Sequence, residues 1–313
     1  MDGHRSGERR HIWHVAADDA EQIEEAAASG AAGLSLDLED GVHPSGKVRA
    51  RRNVAEFLAA NPDVAARTVV RINQTQGSEW RADVDATCAV VETYLVPKLS
   101  TLADLRTLEG QLLAAERDNG LAEGSRRIYL SVETPGIAAE LRAMAAKSPR
   151  ISGLFGGQAD LTLEVGCAGI AEDGGFVPSP TVQWAHTPIL YAAAEFGIPA
   201  FISVWIPAPD REARVREMRR LFALGYHGMI VGSAAAVEDA EIAWRPTPRQ
   251  VEFAEGVVAA FESAERAGKS TAQYEGWGME PPHLGMARRL LSKLRPDEGG
   301  AAETSTPNKE NEP

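Results

Sequence analysis

Short apolar segments alternate with longer amphipathic segments along most of the chain. The apolar segments are nearly continuous, as is typical of parallel strands whose sheet is covered by helices on both faces. Eight of them predict strands at residues 11–17, 33–40, 68–73, 93–98, 128–134, 153–157, 199–205 and 228–232.

The segments between these runs have the pattern of helices. The first begins with acidic residues, which suit a helix N-terminus, and ends at Gly30. Eight strands that alternate with helices favour an α/β fold, the (β/α)8 TIM barrel. An open doubly wound sheet is the alternative, but no G-x-G-x-x-G sequence opens a helix after the first strand. Helices are predicted at residues 18–30, 48–60, 101–117, 137–147, 181–196 and 210–224.

Parts of the chain exceed a minimal barrel. Residues 162–180 contain several glycines and are predicted to form a long loop after the sixth strand. Residues 248–294 contain two further helical stretches, which we interpret as a C-terminal helical arm that is either a functional lid or a stabilising extension. The barrel is expected to span residues 10–247. The polar ends, residues 1–9 and 295–313, have the composition of disordered segments.

Composition and charge exclude several classes of function. The net charge of −13 argues against binding to nucleic acid or to anionic membranes. A small anionic substrate remains compatible with it, because one arginine or a metal ion can reverse the field locally. The sequence contains neither a run of about 20 apolar residues nor a secretory signal at the N-terminus. Two cysteines cannot build a disulfide framework, so we expect a cytoplasmic protein.

Polar residues follow five consecutive predicted strands. Active-site residues of a barrel lie at the carboxyl ends of its strands, where these side chains would meet. A charge at the end of an apolar run needs a partner or a metal ion. The residues concerned are Asp37, Glu39, Asp40, Arg71, Asn73, Lys98, Glu133, Thr134, Gln158 and Asp160.

Glu133 and Asp160 are separated by about one β/α repeat, so we expect them to project from neighbouring strands into one mouth. Two carboxylates, together with water and a bidentate oxo acid, would suit octahedral Mg²⁺. An ion pair between Glu133 and Arg71 is the alternative, and the spacing does not distinguish the two. Arg71 itself suits a substrate carboxylate, or else a structural bridge to Asp37 or Asp40.

The segments that carry these residues resemble known motifs in the same order. Residues 33–52 contain D-L-E-D, residues 70–73 read V-R-I-N, and residues 132–136 read V-E-T-P-G. The remaining matches are P-K at 97–98, G-G-Q-A-D-L at 156–161 and the C-terminal stretch 250–291. Over residues 10–294 or so, the chain is similar to the citrate lyase β-subunit-like proteins of the HpcH/HpaI aldolase/citrate lyase superfamily.

This resemblance implies roles for individual residues. Glu133 and Asp160 correspond to the ligands of Mg²⁺, or of Mn²⁺ in its place. Arg71 and Arg10 correspond to arginines that bind the substrate, and Arg71, Asp40 and Glu280 to catalytic groups. The residues implied to support the metal or to contact the substrate are Asp37, Glu39, Lys98, Gly157, Gln158 and Ala159.

The resemblance also implies an activity. Members of the superfamily cleave or form a carbon–carbon bond next to a carbonyl group, through an enolate stabilised by Mg²⁺. Their substrates are acyl-CoA thioesters or free oxo acids, and they commonly form homotrimers or homohexamers. We therefore expect a lyase that catalyses retro-aldol or retro-Claisen cleavage. The alternatives are a thioesterase or condensing enzyme of the same superfamily, or a non-catalytic barrel that binds an oxo acid.

The sequence departs from the motifs away from the expected metal ligands. The first strand ends in Ala16-Ala17 where Pro-Gly is usual, and the acidic residue of the seventh strand is absent around Ser203. The eighth strand and the arm, which reads G-W-G-M-E at residues 276–280, also differ. These changes predict a divergent substrate. His43 is expected to be a loop residue, because the aldolase branch has its histidine at the position of Asp40.

Overall fold

The structure, a computed structural model, describes residues 11–172, 174–177, 179–203 and 211–294. These residues divide into two compact units, residues 11–244 and residues 245–294. Arg10 and the segments 1–9 and 295–313, which were expected to be disordered, lie outside the described residues. The predicted domain limits, 10–247 and 248–294, stay a prediction.

Unit 11–244 is a closed barrel of eight parallel strands, which confirms the predicted fold. Each strand pairs with the next, and the first pairs with the eighth through His11 and Met229. The strands are β1 (His11–Ala16), β2 (Gly33–Asp37), β3 (Thr68–Arg71), β4 (Thr93–Val96), β5 (Arg127–Val132), β6 (Ile151–Gly156), β7 (Ala200–Ser203) and β8 (Gly228–Val231).

Helices follow the strands around the barrel. Thr101 and Thr134 cap the helices after β4 and β5, and each accepts a backbone N–H with its hydroxyl group. The helices of this unit are α1 (Ala20–Ala28), α2 (Lys47–Ala60), α3 (Pro62–Ala65), α4 (Glu79–Thr87), α5 (Leu102–Asp118), α6 (Pro135–Lys147), α7 (Gln158–Glu164), α8 (Pro180–Trp184), α9 (His186–Phe196), α10 (Arg211–Leu224) and α11 (Ala234–Trp244).

Seven strands send one large apolar side chain into the barrel. These seven residues form a buried cluster separate from the larger core between strands and helices. Because side chains alternate along a strand, the residues two positions further on face the same interior, closer to the carboxyl end. The cluster consists of Ile12, Val69, Leu95, Tyr129, Phe155, Phe201 and Ile230.

Most strands end one to three residues earlier than predicted. The carboxylate of Asp37 accepts the backbone N–H groups of Glu39 and Gly41, which turns the chain away from the ladder after β2. Lys98 has a φ of 47°, so the chain leaves the extended conformation soon after β4. The conformations of Asp37 and Lys98 therefore help to end β2 and β4.

The helix prediction was incomplete. Helix α4 was missed because its buried face includes the polar Asp83 and Thr87 beside Trp80 and Val84. The alanine-rich α11 was missed as well. The predicted loop at 162–180 begins inside α7, and the helix predicted at 181–196 is two helices that meet at Ala185.

Unit 245–294 contains α12 (Pro248–Arg266), an antiparallel hairpin of β9 (Ala272–Tyr274) and β10 (Trp277–Met279), and α13 (Pro281–Ser292). Ala254, Val257 and Phe261 of α12 pack with Ala272, Met279 and Ala287 in a small core. The two predicted helices are thus present, and a hairpin connects them. Within the described ranges, no helix is long and apolar enough to cross a membrane.

Candidate active site

Charged side chains collect at the carboxyl end of the barrel, above the apolar cluster. We call this set the mouth. Five of its members are acids and two are permanent cations, and they come from β1 to β5, from the residues that directly follow these strands, and from α7. The mouth consists of His14, Asp37, Glu39, Asp40, Arg71, Lys98, Ser131, Glu133 and Asp160.

Asp37 and Arg71 form a bidentate ion pair between adjacent strands. Arg71 Nε and Nη2 each donate a hydrogen bond of 2.7 Å to the Asp37 carboxylate. Asp37 is completely buried, which by itself raises the pKa of the carboxyl group. Hydrogen bonds from Arg71 and His14 outweigh burial and hold this pKa well below its ordinary value. The bridge to Asp37, one of the two alternatives for Arg71, is therefore present.

Glu39 is buried without strong hydrogen bonds. Its oxygens lie 3.3 Å from Arg71 Nη1 and 3.0 Å from Lys98 Nζ. Neither oxygen has a well-oriented hydrogen bond within the part of the chain that the structure describes. Burial raises the pKa of Glu39 to about 7, although both cations act in the opposite direction.

Lys98 connects the carboxylates of the mouth. Its backbone N–H donates a hydrogen bond of 3.0 Å to Glu133 Oε2. Its ammonium lies 2.6 Å from Asp40 Oδ2 and 3.4 Å from Asp160 Oδ1. Burial lowers the pKa of Lys98, but the contacts of its ammonium with the Asp40 and Glu39 carboxylates outweigh burial and raise this pKa above its ordinary value, so the side chain stays charged.

Glu133 is almost completely buried immediately after β5. Ser131 donates its hydroxyl group to Glu133 Oε1 at 2.6 Å, and Lys98 donates to the other oxygen. The hydrogen bonds of Glu133 thus come from Ser131 and Lys98, which differs from the ion pair with Arg71 considered above. Burial raises the pKa of Glu133, and the negative charge of Asp160 raises it further.

Gly157 makes room for the Glu133 side chain. A Cβ atom at this position would lie 2.1 Å from Glu133 Cγ and 2.5 Å from Oε1. Only a residue without a side chain allows the backbone after β6 to pass so close to the carboxylate. Gly157 therefore accommodates a buried acid, in addition to any approach of a ligand.

Asp160 differs from its predicted position. It lies in the first turn of α7, three residues after Gly157, and not at a strand end. Its side chain is partly exposed. Ala159 is exposed beside it, and Gln158 is buried with its amide donating to the carbonyl oxygen of Ser203 at 3.0 Å. Asp160 and Glu133 still share the mouth, because Lys98 contacts both of them, Glu133 with its backbone N–H at 3.0 Å and Asp160 with its ammonium at 3.4 Å.

The donors of the mouth fit a divalent cation that prefers oxygen. Five carboxyl groups face two permanent cations, so three negative charges are in excess among the described residues when all groups are ionised. Glu133 and Asp160 raise each other's electrostatic energy, which a bound cation would relieve. Within the described ranges, no group of three or more His, Cys, Asp or Glu side chains could hold a metal. A site with two carboxylates instead fits Mg²⁺, which keeps several water ligands.

The loop after β2 is held from outside the mouth. Lys47 Nζ contacts the carbonyl oxygens of Leu38 and Glu39 and the Asn73 side chain at 2.5–2.7 Å. Asn73 in turn donates its backbone and side-chain N–H groups to Asp83. Motif residues that follow D-L-E-D thus position the acids without entering the mouth.

Sequence reasoning missed two residues of the mouth, His14 and Ser131. His14 Nδ1 lies 2.9 Å from the Ser35 hydroxyl oxygen, and its Nε2 lies 3.6 Å from Asp37 Oδ2. His14 lies two positions after Ile12, and Ser131 lies two positions after Tyr129, so both face the interior of the barrel. Polar residues at alternate positions within an apolar run were the signal that would have identified them.

Glu280 and His43 lie in other settings. Glu280 belongs to unit 245–294, where it is exposed and caps α13 together with His283. His43 is exposed in the loop after β2, where its Nδ1 accepts the backbone N–H of Ser45. His43 thus caps the short 3-10 helix Pro44–Gly46, which begins at the next residue.

Comparison with known proteins identifies the family. A model of the family described as HpcH/HpaI aldolase/citrate lyase matches residues 10–234. The chain belongs to this family. The sequence resemblance is thereby confirmed, and the matched range covers every strand of the barrel.

Relatives in this family carry out different reactions, as their names indicate. The citrate lyase subunit beta of Leuconostoc mesenteroides subsp. cremoris is 26% identical over 284 residues, which is 90% of this chain and 92% of that protein. A (3S)-malyl-CoA thioesterase of Cereibacter sphaeroides is 27% identical over 93% of this chain and 96% of that protein. The family therefore includes lyase subunits and thioesterases.

A solved structure of similar fold contains ligands. The protein CitE from Mycobacterium tuberculosis, in complex with magnesium, acetoacetate and coenzyme A, has a TM-score of 0.74 and 25% sequence identity to this chain. The match covers 92% of this chain and 98% of that chain. That protein thus binds a metal ion, an oxo acid and a thiol cofactor on the same fold.

Proposed function

We propose that this protein is a Mg²⁺-dependent carbon–carbon bond lyase that acts on a hydroxy-acyl-CoA or on a hydroxy-oxo acid. The observation that carries the proposal is the buried Glu133 carboxylate, which shares the mouth with Asp160, Arg71 and Lys98. The similar protein that binds magnesium, acetoacetate and coenzyme A supports the choice of metal and substrate class.

Glu133 and Asp160 would hold the metal ion. Mg²⁺, when bound, supplies a Lewis acid that offsets negative charge on a carbonyl oxygen. The protein contributes a carboxylate that is already desolvated and fixed by Ser131 and Lys98, so that little reorganisation accompanies binding. Asp160, on the partly exposed side, would complete the pair.

Arg71 would orient the substrate carboxylate. Its Nε and Nη2 are tied to Asp37, which fixes the plane of the guanidinium. The remaining N–H groups lie on the side of Nη1, near Glu39, and a substrate carboxylate would meet them there. Arg10 is proposed as a second arginine for the substrate from the resemblance alone, since it lies outside the described residues.

Proton transfer needs groups that can approach the substrate. Cleavage requires loss of a hydroxyl proton and later protonation of a carbon atom. Asp40 is largely exposed and holds the Lys98 ammonium at 2.6 Å, and we propose it as an acid–base group of the mouth. Glu280 is proposed for the same chemistry from its position in the motif. Gly157, Gln158 and Ala159 would line the substrate beside Asp160.

Thioester hydrolysis is the second candidate, because one relative is a (3S)-malyl-CoA thioesterase. Both reactions place negative charge on the same carbonyl oxygen, so the mouth serves either. Incubation with malyl-CoA and Mg²⁺ distinguishes them by product. Cleavage gives acetyl-CoA and glyoxylate, whereas hydrolysis gives malate and free coenzyme A.

The proposal is tested most directly without knowledge of the natural substrate. The wild type should exchange the methyl hydrogens of pyruvate or acetyl-CoA with D₂O when Mg²⁺ is present. Glu133→Gln should lower this exchange by at least about a hundredfold, because it would remove a ligand of the metal ion that offsets the developing negative charge. Glu140→Gln, on an exposed face of α6, is the matched control. Unchanged exchange and unchanged Mg²⁺ affinity in Glu133→Gln would exclude the proposed role.

A further inference from the structure

Lys98 has an unusual backbone conformation for its residue type. Among the described residues, only Lys98 and Glu275 combine a side chain with a φ in the left-handed region, and both have a φ of 47°. Glu275 lies in the turn of the hairpin between β9 and β10. Lys98 follows a buried strand, and a conformation of this kind costs about 1–3 kcal/mol. Its surroundings must therefore hold it in place.

This conformation sends the two ends of Lys98 to both proposed metal ligands. The backbone N–H points at Glu133 Oε2, 3.0 Å away, and the ammonium lies 3.4 Å from Asp160 Oδ1. The carbonyl oxygen of Lys98 accepts a hydrogen bond of 2.7 Å from the Gln76 amide.

The ammonium is also a resident cation. It lies within 3.4 Å of three carboxylates, those of Glu39, Asp40 and Asp160. It therefore offsets part of the negative charge that would attract a metal ion, and it repels a divalent ion bound at Asp160. An anionic substrate that reached the mouth would instead be attracted to both cations.

We propose that Lys98 is a positioning residue that couples metal binding to substrate binding. The ammonium weakens the binding of the divalent ion alone and strengthens the binding of an oxo acid to the metal-loaded protein. The mouth would then fill with metal and oxo acid together. This inference rests on the proposed function, because it takes Glu133 and Asp160 as the ligands.

The coupling predicts changes of opposite sign in one variant. Lys98→Met removes the charge and keeps the length of the side chain. Its Kd for Mn²⁺, a paramagnetic substitute for Mg²⁺, should fall about tenfold. Its Kd for pyruvate in the Mn²⁺-loaded protein should rise about tenfold. A residue with a merely structural role would change the two constants in the same direction or not at all.

Three further variants separate charge, backbone and surface effects. Lys98→Arg keeps the charge and should keep both constants within about threefold. Lys98→Gly keeps the backbone N–H to Glu133 and should behave like Lys98→Met. Lys147→Met, at the exposed end of α6, is the matched control and should change neither constant.

Electron paramagnetic resonance of free Mn²⁺ measures the metal constant for the full chain, and titration with pyruvate measures the second. Equal Mn²⁺ affinity in the wild type and Lys98→Met, or unchanged pyruvate affinity, overturns the role of Lys98. Failure of the proposed function has a different signature. In that case the wild type does not bind Mn²⁺, or Glu133→Gln binds it as tightly as the wild type.

Discussion

Each end of the barrel buries a glutamate beside an arginine, but the pKa values of the two glutamates shift in opposite directions. At the amino ends of β5 and β6, both oxygens of Glu116 are occupied. Arg150 donates from Nη1 and Nη2 at 2.6 and 2.8 Å, and the backbone N–H groups of Gly124 and Arg126 complete the set at 2.8 and 2.7 Å. Burial raises the pKa of Glu116, but these four hydrogen bonds lower it to about 2.

At the carboxyl end, Glu39 has only ion contacts to Arg71 and Lys98, and its pKa rises to about 7. The difference shows that burial and an adjacent arginine do not by themselves define an active site. Glu116 uses all its hydrogen-bonding capacity inside the fold, which stabilises the structure. The mouth keeps unused hydrogen-bonding capacity and excess negative charge, which suit a bound divalent cation.

The largest expected difference is between the effects of Glu116→Gln and Glu39→Gln on the free energy of unfolding. Glu116→Gln leaves the buried Arg150 without its counterion, and we expect the free energy of unfolding to fall by about 3–5 kcal/mol. Glu39→Gln replaces a poorly solvated carboxyl group by a neutral one of similar size, and we expect no loss in the free energy of unfolding. Urea denaturation of both variants and of the wild type measures these changes. A loss for Glu39→Gln as large as that for Glu116→Gln would remove the distinction between the two ends.

A smaller loss of stability is expected when an added side-chain atom crowds Glu133 in the mouth. Gly157→Ala places a Cβ atom 2.1 Å from Glu133 Cγ, so Glu133 must move. The free energy of unfolding should fall by about 1–3 kcal/mol, and the affinity for Mg²⁺ should fall with it. Gly232→Ala, just after β8, is the matched control, because a Cβ atom there meets nothing within 4 Å. Equal Mg²⁺ affinities in the two variants would contradict the placement of Glu133.

The last difference between the two ends is a pH dependence of stability with opposite sign. The folded pKa of Glu116 is below its ordinary 4.5, so the stability that it contributes is present above about pH 4.5 and is lost as the pH falls towards 2. The folded pKa of Glu39 is above 4.5, so the stability linked to its protonated form is present below about pH 4.5 and is lost as the pH rises through 7.

Denaturation of the wild type and of each glutamine variant, between about pH 3 and about pH 8, measures these contributions. The difference between wild type and Glu116→Gln should grow with pH, and the wild type should lose stability relative to Glu39→Gln. Parallel curves for the two pairs would show that the ends of the barrel do not differ in this respect.

The sequence predicted the barrel because its strands are short apolar runs at regular intervals, and because Asp37, Arg71 and Glu133 stand at or next to their ends. It did not predict where those strands end. That point depends on side-chain hydrogen bonds, such as those of Asp37 to the N–H groups of Glu39 and Gly41, which follow from the fold. Asp160 was expected to project from the end of the sixth strand, and it lies in the first turn of the helix that follows that strand.

The partners of the polar residues were the least predictable part of the mouth. Arg71 was compatible with a substrate, with Asp37 or with Asp40, and the choice depends on the parallel register that places Arg71 opposite Asp37. The left-handed conformation of Lys98 has no local signal in the sequence, since lysine favours no such conformation. Pairing across strands determines these contacts, and a single strand does not contain that information.

The central claim, that the mouth is open to a metal ion and the other end is closed, is tested most directly by calorimetric titration with Mg²⁺. The wild type and Glu116→Gln, compared at a temperature where both are folded, should bind one Mg²⁺ per chain with similar affinity, and Glu133→Gln should show no saturable binding. Equal binding by Glu133→Gln, or loss of binding in Glu116→Gln at full folding, would contradict the account.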